Sequence, residues 1–195
     1  MVVPFCHDEL MQFDSISIGD ATVDTFLWLK EAEVNCEINK ENCKLLINYA
    51  TKSLVDRMQT SIGGNSCNNS VALSRLGKKV AYFGICGEDS NSQKVRTEMQ
   101  GEGIDVSLMQ NLTGKSCNYA TIIIYQGERT ELVYHDTHDY SLADDFPMAP
   151  YLYVSSVGEN FENFYRQVVD YVQKNNTKVV FNPSSHELRK PIETF

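Results

Sequence analysis

Two hydrophobic rhythms alternate along the chain. Phe13 to Ile18 is a short β-rich run ending at Gly19, which predicts a buried strand opening into a loop. In "TFLWLKEAEV", Phe26 and Trp28 fall on one face and Leu27 and Leu29 on the other, as in a strand. "KLLINYATKSLVDRM", from Lys44, fits strand or helix, with strand favoured for Leu45 to Tyr49. After a glycine loop, the spacing predicts a helix from about Ser66 to Leu76, closed by Gly77. "KKVAYFGICG" reads as a strand ending in Gly84 and Gly87, and "SNSQKVRTEMQGEG" as a helix with glycines after its end. "IDVSLMQ" reads as a short strand, and two β-rich runs joined around Gly127 predict a hairpin. "YLYVSSVG" is a further buried strand. Phe161, Phe164, Tyr165, Val168 and Val172 then recur at helical spacing, and Asn175 and Asn176 end that helix. "KVVFNPSS" predicts a last strand, stopped by Pro183.

Strands alternating with helices predict an α/β fold built on a doubly wound, mostly parallel sheet. The two β-rich excursions, one before the glycine loop and one around Gly127, break that alternation. They can pair with each other as a small second sheet. No internal repeat, low-complexity run or linker is visible. The chain has 195 residues, enough for one domain with a substantial core. Residues 1–12 read as an N-terminal extension and 13–195 as the domain.

Composition narrows the function classes. The net charge is −9, spread along the chain with no Lys/Arg cluster, which argues against a nucleic-acid or anionic-membrane partner. No apolar stretch approaches the length of a membrane span, and the start lacks the pattern of a signal peptide, so a cytoplasmic location is expected. The six cysteines (Cys6, Cys36, Cys43, Cys67, Cys86 and Cys117) form no C-x-x-C pair and read as reduced thiols. Cys36 and Cys43 flank the turn-like "EINKEN" and could meet across a hairpin, but two sulfurs do not make a zinc site. Asn-x-Ser/Thr matches at Asn68, Asn111 and Asn175 read as chance.

In open α/β sheets ligands bind beyond the carboxyl ends of the strands. Three stretches are predicted to lie there: "GDATVD" (19–24), the loop around Gly63 and Gly64, and "FNPS" around Asn182. The glycine pair lets backbone approach a ligand with no Cβ in the way. Asn65 and Asn68 each add a donor and an acceptor, and Asp24 adds an ionised acceptor suited to neighbouring hydroxyls. A carboxylate, amides and bare backbone suit a polyhydroxylated neutral molecule such as a sugar. The plain alternative is a helix cap at Asn68, a tight turn at the glycines and a solvated Asp24.

"GGNSCNNSVALSRLGKKVAYFGICGED" resembles the first signature of the ribokinase-like, or PfkB, carbohydrate kinases. That signature is a glycine pair, an asparagine a few residues on, a small-residue helix ending in Leu-Gly, and a strand with spaced glycines before an aspartate. The resemblance extends, in the family's order, to "IGDATVDTF", "GERTELVYH" and "VVFNPSSHELRK". It implies sugar contacts at Asp24, Gly63, Gly64, Asn65 and Asn68, and a β-sheet lid formed by parts of about 25–62 and 115–137. Arg129 would touch substrate phosphate or hold the hairpin turn, and Asn182 would open toward the phosphate-transfer site. The family's lids often carry a dimer contact, so a homodimer through the lid is a possible assembly, with a small-molecule sugar as partner.

The resemblance also implies ATP and Mg²⁺, but through motifs that this sequence does not contain. The family's second signature, D-T-x-G-A-G-D, carries the general-base Asp and an anion hole, and an N-x-x-E motif associated with magnesium precedes it. After Asn182 the chain runs "PSSHELRKPIETF", and no Gly-Ala-Gly-Asp occurs. The expectation is therefore the sugar-binding and lid portion of an ATP-dependent kinase, with no catalytic or metal residue in the chain. Phosphoryl transfer is positioning plus electrostatic stabilisation, so this portion by itself is expected to be inactive. The alternative is a non-catalytic sugar-binding or scaffold protein.

Two local patterns are set aside. "TGKS" (113–116) lacks the earlier glycine of a phosphate-binding P-loop, with Met109 in its place, and strand follows it where a helix is needed. In "YHDTHDY", strand alternation would put His135 and Asp139 on one face and Asp136 and His138 on the other, dividing a metal's ligands.

Overall fold

The structure, a computed structural model, describes residues 12–37, 42–185 and 187–189. The extension expected over 1–12 lies outside these, apart from Gln12, as does Cys6. In chain order the elements are β1 (Ser15–Ile18), β2 (Thr22–Leu29), β3 (Glu33–Cys36), β4 (Cys43–Leu46), β5 (Val55–Gly63), α1 (Asn65–Arg75), β6 (Val80–Phe83), β7 (Ile85–Cys86), α2 (Ser90–Gly101), β8 (Gln110–Asn111), β9 (Asn118–Tyr125), β10 (Glu128–Tyr134), β11 (Tyr151–Val154), α3 (Phe161–Asn175) and β12 (Lys178–Phe181). The chain divides into two compact units. The first takes residues up to Thr22, Ile62–Asn118 and the chain from His135 on; the second takes Val23–Ser61 and Tyr119–Tyr134.

The first unit is a parallel sheet in the order β12-β11-β1-β6, with Ile16 opposite Leu152 on one side and Ala81 on the other. All four residues of β1 are buried, and their alternation explains how the sheet is covered. Ile16 and Ile18 join Phe83, Leu152, Val154, Phe161, Phe164 and Val168 in one core, so α3 packs on that face. Ser15 and Ser17 point the other way. Their small side chains admit α1, whose Asn69 donates from Nδ2 to Ser17 Oγ at 2.8 Å. Aromatic rings lock the α3 side: Phe83 and Tyr140 meet edge to face at 5.7 Å, and Tyr165 and Phe181 at 5.2 Å. The sheet order reverses direction at β1, which makes the carboxyl end of β1 a topological switch point.

The second unit is a four-stranded sheet in the order β10-β9-β2-β5, with the two-stranded pair β3-β4 beside it in sequence. β9 and β10 pair antiparallel across Gln126 and Gly127, both at positive φ, the backbone of a tight primed turn. Thr25 and Thr60 hydroxyls lie 3.4 Å apart. Arg57 stacks over the Trp28 ring at 4.5 Å, a surface cation–π contact.

Three local expectations are corrected. The strand expected over Leu45 to Tyr49 is Cys43–Leu46, and the chain turns at Ala50, where φ is 57°. "IDVSLMQ" is not a continuous strand: Asp105 Oδ1 accepts from Ser107 N at 2.8 Å and closes a turn, leaving only a bridge to Ala81 and the short β8. Cys36 and Cys43 are opposite one another in β3-β4 and are disulfide-bonded, so the reading of all cysteines as reduced does not hold for this pair. Cys67, Cys86 and Cys117 are buried and take part in no disulfide.

Candidate functional site

The switch point is built from the loop after β1. Gly19 and Asp20 leave the strand, and Asp20 N donates to Ser156 O at 2.8 Å, tying the loop to the end of β11. Tyr82 OH reaches up from β6 to donate to Gly19 O at 2.7 Å. Burial pushes the Tyr82 phenol well above its ordinary pKa, so it stays a donor. Three neighbouring strands of the sheet therefore hold one turn of backbone.

The glycine loop rests on that turn. Gly64 occupies the N-cap of α1 at φ 96°, and a β-carbon there would lie 2.4 Å from Asp20 O. Ser66 Oγ donates to the same carbonyl at 3.0 Å, and Asn68 N closes the first helical turn onto Gly64 O at 2.9 Å. No side chain caps this helix end. The cap reading of Asn68 is therefore set aside: Asn68 lies inside the first turn, and both Asn65 and Asn68 are exposed. A helix start with no side-chain cap and two exposed carboxamides offers donors and acceptors to a polar ligand.

The structure thus gathers Gly63, Gly64, Asn65 and Asn68 at one loop-to-helix junction of the first unit. Asn182 belongs to the same unit, where its Nδ2 donates to Tyr153 OH at 2.7 Å and its carbonyl accepts from Ser155 Oγ at 3.0 Å. Asp24 lies on β2 and Arg129 on β10, both in the second unit. Arg129 Nε pairs with Glu131 Oε1 at 3.1 Å along its own strand.

The segment after β10 departs from its expected geometry. The strand ends at Tyr134, so the residues of "HDTHDY" do not alternate across a sheet. Asp136 accepts from Ser116 N at 2.8 Å and from Lys115 Nζ at 3.2 Å, and these bonds, the backbone one foremost, hold its pKa below the ordinary carboxylate value. Asp139 accepts from Asn160 Nδ2 at 2.7 Å, while His138 is buried. Among the described residues no cluster of His, Cys, Asp or Glu is gathered to hold a metal ion. In "TGKS", Lys115 is spent on Asp136 and β9 follows, as expected of a chance match.

Sequence reasoning missed the role of Ser66, and it named Asp20 only inside "GDATVD" and His138 and Tyr140 only inside "YHDTHDY". Asp20 and Tyr140 carried one usable signal, a polar group placed directly after a strand or loop end. Their meeting depends on residues 120 positions apart and could not be read locally.

Comparison with known proteins addresses the family and the fold. The profile described as pfkB family carbohydrate kinase matches residues 28–194. The 5-dehydro-2-deoxygluconokinase of Bacillus velezensis is 27% identical over 134 residues, covering 68% of this chain and 35% of that protein. The structure of Arabidopsis thaliana ribokinase complexed with ribose and ATP superposes with a TM-score of 0.67 at 14% identity, over 88% of this chain and 53% of that one. Halothermothrix orenii fructokinase gives a TM-score of 0.66 at 19% identity, over 92% of this chain and 60% of that one. The chain thus spans little more than half the length of these solved kinases and a smaller share of the curated relatives. A parallel sheet with a β-rich second unit, a glycine loop at its switch point and a family profile running through most of the sequence converge on one assignment: the chain belongs to the pfkB family of carbohydrate kinases.

Proposed function

We propose that this chain supplies the sugar-binding and lid portion of an ATP-dependent kinase. The full protein would transfer the γ-phosphate of ATP to a hydroxyl of a sugar, or of a related polyol or nucleoside. The observation that carries this reading is the junction at Gly64, where a helix start with no side-chain cap and the exposed Asn65 and Asn68 lie at the carboxyl edge of the parallel sheet. Backbone amides and carboxamides bind neutral hydroxyls without demanding a charge on the ligand. Asp24 would add a charge-assisted acceptor, and the second unit would act as the lid, excluding water so that the sugar hydroxyl, and not water, attacks the phosphate. Arg129 and Asn182 are assigned to the lid and to the phosphate side, respectively.

ATP would supply the transferable phosphoryl group and Mg²⁺ its charge neutralisation. The described residues do not fit the metal, since no cluster of candidate ligands exists among them. The roles of this chain are to bind and orient the acceptor and to shield it.

The test is calorimetric titration of D-ribose and D-fructose, together with ATP consumption by the full-length protein. Asn68→Ala and Asp24→Ala should each lower sugar affinity about 10-fold or more, the loss of one or two buried or charge-assisted hydrogen bonds. Unchanged affinity in folded variants would remove these residues from the site. Sugar binding without ATP turnover in the full protein would favour a non-catalytic binding role.

A further inference from the structure

The junction at Gly64 is only as well placed as the turn beneath it, and that turn has its own anchor. Asp20 Oδ1 accepts from Tyr140 OH at 2.8 Å. The same phenol oxygen accepts from Ile85 N at 3.1 Å. A relay therefore runs from a β7 amide through a phenol to a carboxylate, and each bond polarises the next. Burial and the neighbouring Asp20 keep the Tyr140 phenol well above its ordinary pKa, so its proton stays available to the carboxylate.

A second contact to the Asp20 carboxylate, from an imidazole, is looser. His138 Nδ1 lies 3.9 Å from Asp20 Oδ1, beyond hydrogen-bond reach. Both ring nitrogens are buried without a partner, in a residue only 1% exposed. A buried polar group left unpaired costs about 1–3 kcal/mol, so a side chain of this kind is not explained by packing alone. It lies beside the Asp20 carboxylate, on the segment that also carries Tyr140.

From these contacts we infer that Asp20 is the positioning residue of the substrate loop: Tyr140 fixes its carboxylate beside the buried His138, and its carbonyl holds Ser66 and leaves room only for glycine at position 64. The inference rests on the sugar-site reading for its functional consequence, but not for its geometry. Asp20 does not touch substrate in this scheme. It sets the height and angle of the backbone that Asn65 and Asn68 ride on. The carboxylate matters because the phenol needs a strong acceptor in a buried place. The carbonyl matters because two groups of α1 meet it: the space at Gly64 and the hydroxyl of Ser66.

The experiment compares Tyr140→Phe, Asp20→Ala and Asp20→Asn in the full-length protein by two readouts. The first is hydrogen exchange of the ligand-free protein, followed at the amides of Asp20 and Asn68 and, as a reference, along α3. Tyr140→Phe and Asp20→Ala should speed exchange at the first two sites at least 10-fold while α3 changes less than 2-fold. Asp20→Asn, which keeps an acceptor for the phenol, should restore most of the protection. The second readout is turnover with D-ribose and D-fructose. The KM for sugar should rise about 10-fold in Tyr140→Phe and in Asp20→Ala with kcat within 2-fold of wild type, and should stay within 2-fold of wild type in Asp20→Asn. Equal acceleration along α3, or unchanged exchange at Asn68, would overturn the inference. If wild-type protein binds neither sugar, the exchange readout still decides the positioning claim, so failure of the sugar reading is seen separately.

Discussion

The α-carbon of Gly64 stands so close to the Asp20 carbonyl that an added β-carbon would lie 2.4 Å from that oxygen. The obstruction is backbone, which cannot swing aside, and φ is already 96°. Gly64→Ala should therefore combine left-handed strain with a steric push on the turn after β1. The expected loss is about 2 kcal/mol or more of stability, with sugar binding reduced further than stability alone explains. Urea unfolding alongside calorimetry separates the two effects.

Gly87 makes a second close approach in the same unit. A β-carbon there would fall 1.7 Å from the carbonyl oxygen of Lys115. Gly87→Ala must part the end of β7 from the segment entering β9. It should destabilise the protein by about 3 kcal/mol, the upper range for overpacking. An unchanged unfolding midpoint would show that this approach is looser than described.

Asp136 gives the protein an acid-sensitive fastening. Its pKa is lowered chiefly by the hydrogen bond from Ser116 N and further by Lys115. A carboxyl whose folded pKa lies below its unfolded value of about 3.9 stabilises the fold above that value. The contribution fades as pH falls through the folded pKa. Denaturant unfolding from pH 7 down to pH 3 should show Asp136→Asn less stable than wild type at neutral pH, with the two curves converging in acid. Parallel curves would mean that ionisation of Asp136 contributes nothing.

The Cys36–Cys43 bond closes a short loop between β3 and β4, strands whose residues are mostly exposed. A two-stranded hairpin with little buried surface is marginal by itself. Reduction, or Cys36→Ser with Cys43→Ser, should lower the local stability of this hairpin by about 2 kcal/mol, the chain-entropy value for a loop of this length. Limited proteolysis should then cut near the hairpin faster, while Cys67, Cys86 and Cys117, all buried, remain slow to alkylate. Equal alkylation of every cysteine in untreated protein would rule out the bond.

What the sequence disclosed followed from how local each signal was. α3 was plain because Phe161, Phe164, Tyr165 and Val168 bury one helical stripe. α1 was placed within one residue because Gly64 and Gly77 bracket it. β5 was not separated from the ambiguous run before it, because Val55 to Thr60 is exposed and mixes Asp56, Arg57 and Gln59 with apolar positions, so neither period stands out. "IDVSLMQ" looked like a strand because its apolar spacing hides the Asp105 side chain's bond to Ser107 N. The glycine loop could be singled out from composition, but its support could not. Asp20, Ser66, Tyr82 and Tyr140 meet only after the sheet has formed, and nothing in their spacing announces it.

The strand order of the second unit also bears on how the protein is made. β2 and β5 emerge from the ribosome early, yet β2 has β9 as its other neighbour, and β9 begins only at Asn118. Until then β2 carries an open flank, and pairing it means closing a loop of most of the chain between. The entropy of that closure grows only with the logarithm of loop length, but the waiting time during synthesis grows linearly. The sheet of the second unit is thus a late event in the life of a nascent chain. A pause in translation between β5 and β9 would prolong the interval in which an unpaired strand is exposed to other chains.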